Sequence, residues 1–536
     1  MKKFLDKAKS SLAPSPSSFL NQTQSQTTSL IPAHDQPSRI SPPTPQDVLR
    51  YRYHHGTNLG SVFVLEKWLH PSMFPPSCPG NSELSAIDFC LKQWGWASTA
   101  VHWEKHWSNA VSEADLAWLV TTAKCTSIRL PIGYWTLGEA FCAGTPFEGA
   151  IGELYRGAWG QVKALVGRAR EWGLGVLIDF HALPGGANGD AHSGTGSGKA
   201  ELWGNRGYRE LALRCIRFMV SEIREMEGVI GLQVVNEAVW DAKGLYAWYE
   251  EVLRIIGEID GSIPVYISDA WDLERALKWS NSRRGVRNPI MVDTHKYYTF
   301  SDKDRSQTPA EIINRIPNEL FQLDGKEGSI SDRGEAQVII GEYSCVLDGR
   351  TWARVRPEEK EGFVKQFGRV QSLKWQEKAG GAYFWTFKMD WMDGGEWGFV
   401  EQVKKENIIP PPSLLLSREE VQERASRAQQ QRGELAKDAR VSHEDYWNRT
   451  CPGQHFEHER YSRGWEVGFS DALSFFVMRA DGGLGDKAGE GSDRIGCLEL
   501  WAKKRLLESG EGGAFVWEWE QGFRAGAKAF NRTVGI

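Results

Sequence analysis

The 536-residue chain lacks the features that would place it in a membrane or on nucleic acid. It has no run of about 18 apolar residues, so the sequence predicts no transmembrane segment. Its formal net charge is −5, whereas a general nucleic-acid-binding protein usually carries a basic face, so we expect no nucleic-acid partner. The N-terminus begins with lysines but is not followed by the apolar segment of a secretory signal, and we expect none.

Cysteines are few and scattered. The chain has eight, none in a C-x-x-C pair, and no Cys/His group shows the spacing of zinc ligands. Several, such as Cys125 and Cys215, lie inside apolar segments. This pattern is typical of reduced, buried thiols, and it predicts a cytoplasmic protein without a metal site.

Composition divides the chain into four parts. Residues 1–45 are rich in Ser, Pro, Gln and Thr and lack apolar periodicity, which predicts a disordered tail. Residues 46–405 contain the recurring apolar segments of a catalytic domain. A proline-rich break opens a linker and charged helix at 406–440, and residues 441–536 form a predicted helical extension packed on that domain.

The C-terminal extension contains an internal repeat. GWEVGFSDALSFF (464–476) and EWEQGFRAGAKAF (518–530) share the pattern W-E-x-G-F. We interpret them as two similar helices that pack on each other or on the preceding domain, because glycine inside a helix permits close helix approach. A protein-interaction module is the alternative function for this segment.

Eight short β-rich segments alternate with amphipathic helical segments. Alternation of this kind predicts parallel strands joined by right-handed crossovers, and eight units predict a closed (β/α)8 barrel, the TIM-barrel fold of the α/β class. An open doubly wound sheet is the alternative, but no G-x-G-x-x-G follows the first strand. The predicted strands lie within 55–66, 125–135, 173–181, 228–237, 263–271, 290–298, 336–344 and 380–388.

Polar side chains concentrate where these strands end, which is where the reactive groups of such barrels lie. Glu237 ends the fourth segment and Glu342 the seventh, so the two carboxyl groups are expected to face each other across the barrel mouth. Cleavage of a glycosidic bond with retention needs such a pair about 5–5.5 Å apart. The remaining strand-end groups are Arg129, Asp179, His181, Asn236, His295, Tyr297 and Trp385.

Jointly, these segments resemble glycoside hydrolase family 5, and within it the fungal exo-β-1,3-glucanases. The resemblance covers about residues 53–402. It rests on GTNLGSVFVLEKW (56–68), IRLPIGYW (128–135), DFHALPGGANG (179–189), VVNEAVW (234–240), VDTHKYYTF (292–300), IGEYS (340–344) and FWTFKMD with EWGF (384–399).

The resemblance implies a retaining β-glycosidase that needs no cofactor, with Glu237 as general acid/base and Glu342 as nucleophile. It also implies that Glu66 grips the non-reducing-end glucose, that Trp385 forms the aromatic floor beneath the sugar, and that Phe300 is one half of an aromatic clamp at the +1 site. The supporting groups around the two carboxylates are Arg129, His181, Asn236, His295 and Tyr297.

Two departures from the family pattern bear on the substrate. Ala238 stands where the family usually has proline, and 190–192 reads Asp-Ala-His where the glucanases carry the second clamp aromatic. We therefore expect exo-action on β-1,3-linked glucose or small β-glucosides. A glucosidase for sterol or sphingolipid glucosides and a non-catalytic glucan-binding protein are the alternatives. The sequence leaves the oligomeric state open.

Overall fold

The computed structural model describes residues 40–283, 285–324, 329–330 and 334–536, so the predicted disordered tail lies outside the described residues up to residue 39. Eight parallel strands close into one barrel in sequence order, and each of the eight predicted segments overlaps one of them, with β1 beginning and β3 ending one residue outside. The predicted (β/α)8 barrel is thereby confirmed. The strands are β1 (His54–Asn58), β2 (Ser127–Gly133), β3 (Gly175–Ala182), β4 (Val229–Gln233), β5 (Val265–Ser268), β6 (Ile290–Lys296), β7 (Gln337–Tyr343) and β8 (Gly381–Phe384).

A layer of helices surrounds the barrel. Helices cover the outer face of the strands and side chains fill the barrel interior. Residues of β2 and β3 are therefore buried at every position. The helices are α1 (Pro45–Tyr51), α2 (Glu83–Asn109), α3 (Glu113–Thr121), α4 (Ala150–Leu154), α5 (Ala158–Glu171), α6 (Arg206–Ile223), α7 (Leu245–Ile259), α8 (Leu273–Asn281), α9 (Asp302–Ser306), α10 (Pro309–Arg315), α11 (Gly349–Trp352), α12 (Lys360–Lys378) and α13 (Phe399–Lys404).

Local sequence signals set several helix boundaries. Ser112 caps α3 through a reciprocal capping box with Asp115. Thr308 caps α10 through a capping box of its own, and Pro309 occupies the first turn of that helix. The long helix α2 bends at Gly95, whose φ of +74° lies in a region that glycine adopts readily.

The C-terminal extension is helical, as predicted. It comprises α14 (Arg418–Thr450), α15 (His458–Met478), α16 (Leu498–Ser509) and α17 (Val516–Val534). Helix α14 runs unbroken past residue 440, where composition placed a boundary, since no glycine or proline interrupts the chain there.

These helices cover the amino-terminal end of the barrel. Leu177 and Ile230, at the starts of β3 and β4, share one apolar core with Trp465 and Phe469 of α15. Polar contacts join the same surfaces, because the amide of Tyr53, just before β1, donates to the carbonyl of residue 494 at 3.1 Å. The opposite, carboxyl-terminal end of the barrel thus remains for the site.

The repeated W-E-x-G-F segments account for the close packing of α15 against α17. A Cβ on Gly468 would lie 2.0 Å from the carbonyl oxygen of Phe523, and one on Gly522 would lie 2.0 Å from that of Tyr461. Only glycine permits this approach of the two backbones. The predicted packing of the repeat helices on each other is confirmed. No helix among the described residues is long and apolar enough to cross a membrane.

Candidate active site

Glu342 lies on β7 with its carboxylate pointing into the barrel mouth, where it is 5% exposed. Arg129 of β2 donates to Oε1 at 2.9 Å, and the Tyr297 hydroxyl donates to Oε2 at 2.8 Å. A guanidinium ion and a phenol thus hold both oxygens in fixed positions. The guanidinium also places a positive charge beside the carboxylate.

Arg129 is the centre of the buried polar network beneath the mouth. Its guanidinium donates to Asn58 Oδ1 at 2.8 Å, Gln233 Oε1 at 2.9 Å and Asn236 Oδ1 at 2.7 Å. It also pairs with Asp179 at 3.0 Å. Each side of the planar group therefore has a partner, which fixes its orientation toward Glu342.

Carboxylates around this arginine keep it charged. Burial by itself lowers the pKa of Arg129, but the negative charges of Asp179, Glu342 and Asp293 raise it above its ordinary value. The guanidinium is therefore a permanent positive charge beside Glu342.

Glu237 follows β4 and faces Glu342. One oxygen of Glu237 lies within 4.8 Å of one oxygen of Glu342, a close approach of the kind that retaining glycosidases need. The backbone of Glu237 has a φ of +42°, an unusual value for a residue other than glycine. Asn188 donates to the Glu237 carbonyl at 3.1 Å and so holds this turn.

His295 of β6 lies between the two carboxylates. Its Nδ1 is 2.7 Å from Oε1 of Glu237 and 3.5 Å from Oε2 of Glu342, and its Nε2 is 3.2 Å from Oδ2 of Asp293. Burial lowers the pKa of His295, but the charges of Glu342 and Asp293 raise it well above the ordinary value. The imidazole is therefore held as a cation.

The charge on His295 determines the protonation of Glu237. Burial raises the pKa of Glu237, but the hydrogen bond and charge of His295, followed by the nearby His192 and His181, lower it to about 2. In the free protein the proton of the His295–Glu237 pair thus resides on the imidazole. The pair titrates as a unit.

His181 and Trp385 form one wall of the mouth. His181 Nδ1 is 2.6 Å from Asp179, its Nε2 is 3.4 Å from Asn236 Nδ2, and its ring stacks on Trp385 with centroids 5.9 Å apart. Trp385 is buried. The flat indole is placed where an aromatic floor beneath a sugar is expected.

The other two residues predicted from the resemblance lie at the rim. Glu66 accepts from the Trp68 indole at 2.8 Å, and burial raises its pKa, an effect that the charge of His192 partly offsets. Phe300 is 60% exposed and its ring lies 5.5 Å from that of Tyr297. The structure therefore gathers all ten predicted residues around one cleft.

Sequence reasoning missed several partners in this site. Asn58 and Gln233 hold Arg129, and Asp293 lies between Gln233, at 2.6 Å, and His295. The two-residue spacing of Asp293 and His295 on one strand places both side chains on the inner face, which is the signal that was available.

His192 was noted only as part of the stretch 190–192, which stands where the glucanases carry the second clamp aromatic. Its Nε2 lies 3.7 Å from Oε2 of Glu237, and it forms a hydrogen bond with Asn188. A basic side chain therefore stands beside the candidate acid/base, on the side of the predicted +1 site.

Two triads here have the donor types of a metal site, namely Glu237 with His295 and Glu342, and Asp190 with His192 and Glu237. In the first triad, a cationic imidazole already lies between the two carboxylates, and its Nδ1 donates to Glu237 while its Nε2 donates to Asp293, outside the triad. The arrangement therefore favours acid/base chemistry by two carboxyl groups of different acidity over the binding of a metal ion.

Comparison with known proteins agrees with this geometry. Residues 90–375 match the family model described as cellulase (glycosyl hydrolase family 5), and residues 428–534 match the model described as glucan 1,3-beta-glucosidase 3 C-terminal domain. The chain is 30% identical to glucan 1,3-beta-glucosidase 3 of Schizosaccharomyces pombe over 484 residues, covering 90% of this chain and 95% of that protein.

A glycosyl hydrolase of Saccharomyces cerevisiae is also 30% identical, over 90% of this chain and 92% of its own length. Among solved structures, the rutinosidase from Aspergillus niger has the same fold, with a TM-score of 0.52 at 17% identity, covering 67% of this chain and 98% of that one. By its matching model and its relatives over nearly the whole length, the chain belongs to glycosyl hydrolase family 5.

Proposed function

We propose that this family 5 enzyme removes glucose from the non-reducing end of β-1,3-linked oligosaccharides or from small β-glucosides, with retention of configuration. The observation that carries the proposal is the Glu237–Glu342 pair, whose oxygens lie within 4.8 Å across the mouth. The similarity to the Schizosaccharomyces pombe glucan 1,3-beta-glucosidase 3 supports the choice of linkage.

In the first step, a carboxylate oxygen of Glu342 attacks the anomeric carbon while the bond to the leaving oxygen breaks. Arg129 and Tyr297 hold the nucleophile in its orientation through one hydrogen bond to each oxygen. The leaving oxygen must receive a proton from Glu237, which passes it on from His295 Nδ1 at 2.7 Å. This transfer becomes easier as Glu342 loses its charge to the new ester, because that charge holds the proton on His295.

In the second step, a water molecule replaces the leaving group. Glu237, now a carboxylate, takes a proton from this water as it attacks the glycosyl ester, and Glu342 leaves as the carboxylate. The proton returns to the His295–Glu237 pair. No metal or organic cofactor enters either step, since the two carboxyl groups and the imidazole supply every proton and electron pair required.

Exposed aromatic side chains support a second candidate substrate, a β-glucoside with an apolar aglycone. Trp271 is 52% exposed and its ring lies 6.4 Å from that of His295 in an edge-on arrangement. Phe300 is also exposed at the rim. Two such surfaces near the acid/base offer an apolar platform to a sterol or a lipid as readily as to a sugar ring.

An activity panel tests the proposal and separates these substrates. The purified enzyme would be given an aryl β-glucoside, laminari-oligosaccharides, cello-oligosaccharides and a steryl glucoside, with Glu342→Gln as the inactive control. We expect glucose release from the short laminari-oligosaccharides and the aryl glucoside. Release from the steryl glucoside alone would favour the apolar aglycone, and no release from any member would support a glucan-binding protein.

We also propose that the enzyme works in the cytoplasm. All eight cysteines lie in the part of the chain that the structure describes, where all are free and seven are buried. Free thiols of this kind are typical of reducing compartments. Microscopy of the native protein with a fluorescent C-terminal tag would test this, and a signal confined to the cell wall or secretory pathway would contradict it.

A further inference from the structure

Three helices of the C-terminal extension bring two histidines and a glutamate together, far from the barrel mouth. His443 belongs to the last turns of α14, His458 begins α15, and Glu518 lies in the first turn of α17. His443 Nε2 is 3.0 Å and His458 Nδ1 is 2.9 Å from Oε2 of Glu518. One ligand atom from each residue lies within 4.8 Å of the other two. We call these three residues the His–His–Glu cluster.

The surroundings fix each member of the cluster in position. The backbone amide of Glu457 donates to Oε1 of Glu518 at 2.6 Å, which leaves Oε2 directed at both imidazoles. The ring of His443 stacks on Tyr461 with centroids 4.0 Å apart, and that of His458 is nearly parallel to Phe456 at 5.5 Å. The side chains are 5%, 18% and 0% exposed for His443, His458 and Glu518.

We propose that the His–His–Glu cluster binds one Zn²⁺ ion through His443 Nε2, His458 Nδ1 and Glu518 Oε2, with water as the fourth ligand. Two neutral imidazoles and a carboxylate are a ligand set that zinc accepts. Ligand atoms at about 2.0–2.2 Å from a tetrahedral zinc ion stand roughly 3.3 Å apart. The observed separations of 3.0 and 2.9 Å need only a small outward movement.

The partial exposure of His458 gives the fourth ligand access to solvent. The ion would take the place of the hydrogen bonds to Glu518, with each imidazole carrying its proton on the ring nitrogen that does not bind the metal. The ion would fasten α14, α15 and α17 together at one end. Zinc binding therefore adds to the stability of the extension.

The hydrogen-bonded cluster could also hold these helices together without a metal, and zinc content distinguishes the two cases. The full-length protein is treated with a chelator, desalted, loaded with Zn²⁺ and desalted again. Its zinc content per chain is then measured by elemental mass spectrometry. The affinity is then measured by competition with a chromophoric chelator. We expect one tightly held zinc per chain and a higher melting temperature in the zinc-loaded protein.

Variants of the proposed ligands, compared with matched control variants, test where the zinc ion binds. Glu518→Gln keeps the shape of the side chain and an oxygen for the Glu457 amide but removes the charged ligand, and His458→Ala removes a ligand at the partly exposed position. We expect both to weaken zinc binding more than about 100-fold, since even a group hydrogen-bonded to a metal ligand is worth 10–100-fold. His455→Ala removes an exposed imidazole three residues from His458 and is expected to retain the ion, as is Glu342→Gln in the barrel.

Wild-type protein that holds no zinc above a weak, millimolar affinity would overturn the proposal, whether or not the variants fold. Zinc that is retained in Glu518→Gln and His458→Ala, or lost in Glu342→Gln, would place the ion elsewhere and would also overturn it. Glycosidase activity is not the readout, so failure here leaves the proposed function untouched.

Discussion

His295 donates to Glu237 across 2.7 Å, so the group that must act as an acid is a carboxylate in the free enzyme. The proton needed by the leaving group is stored next to it, on an imidazole between two negative charges. Beside the charged His295, Glu237 has a pKa of about 2 and does not itself hold a proton near neutral pH, but the pair keeps one proton to well above the ordinary histidine pKa near 6.5.

This relationship predicts the alkaline limb of the pH profile. The limb of kcat/KM for a disaccharide reports loss of the shared proton, and the raised pKa of His295 places it well above pH 6.5. In His295→Asn the proton must reside on Glu237 itself. We expect the limb to move to lower pH by roughly one unit or more, because carboxyl groups titrate below imidazolium groups even when burial raises their pKa.

An activated substrate provides the control for that shift. Cleavage of a dinitrophenyl glucoside needs no proton on the leaving group, so the first step should lack the alkaline limb in both proteins. If the limb for the disaccharide stays in place in His295→Asn, the proton is not stored on this pair.

The second prediction concerns the nucleophile. Glu342→Gln keeps the side-chain volume and removes the charge that attacks the anomeric carbon, so turnover should fall by several orders of magnitude with the fold intact. A slow 2-fluoro glucoside should label the wild type at Glu342, identified by peptide mass spectrometry. Labelling of another carboxylate, or an α-anomer as the first product by NMR, would contradict the assignment.

The barrel and the two catalytic carboxylates could be predicted from the sequence, because both depend on the order of short segments along the chain. Eight alternating β and helical segments define the barrel, and Glu237 follows β4 while Glu342 lies near the end of β7. Gly341 illustrates what the sequence could not explain. A Cβ at this position would lie 2.1 Å from Oδ1 of Asp293, so the glycine before Glu342 makes room for a carboxylate on the neighbouring strand.

Contacts between distant helices were not predictable in the same way. His443 and Glu518 are 75 residues apart, and His458 and Glu518 are 60 residues apart. Their meeting depends on how α14, α15 and α17 pack, for which the W-E-x-G-F repeat gave only the pairing of α15 with α17. The absence of zinc-ligand spacing in the sequence therefore did not exclude a metal site formed by tertiary packing.

A third prediction concerns stability in acid. His54 and His55 of β1 are buried. Burial, aided by the charge of Arg52, lowers the pKa of His54 to about 3, and burial lowers that of His55 to about 4. Below the ordinary pKa near 6.5, the unfolded chain binds protons that the folded protein does not bind until the pH reaches these values. The free energy of unfolding should therefore fall as pH drops from about 6.5 to 4, by about 1.4 kcal/mol per pH unit for each histidine.

Urea unfolding at a series of pH values tests this dependence. His54→Asn removes one of the two groups, and the slope of the free energy of unfolding against pH should decrease by about 1.4 kcal/mol per unit in that range. An equal slope in His54→Asn and wild type would contradict the buried, neutral state of His54.

The last prediction joins the acid/base to the substrate. Glu237→Ala removes the proton donor, so hydrolysis of a disaccharide should be lost almost completely, whereas the first step on a dinitrophenyl glucoside should be nearly retained, because that leaving group needs no proton. The second step then becomes slow, since no base activates water. Added azide should restore turnover of the activated substrate, because a small anion fits where the carboxylate was and attacks without base help.

Retention predicts the rescue product as the β-glucosyl azide, which NMR identifies. Glu274→Ala, a change in an exposed part of the first turn of α8, serves as the control and should keep wild-type activity on both substrates, with no gain from azide. The stretch 190–192 bears on the natural substrate, because it stands where the glucanases carry the second clamp aromatic, and its His192 lies 3.7 Å from Glu237. With that aromatic missing, short or non-glucan aglycones should be cleaved faster than polymeric laminarin. Equal loss of activity on both leaving groups without azide rescue would refute the role of Glu237, and faster cleavage of long laminarin than of laminaribiose would refute the preference for a short aglycone.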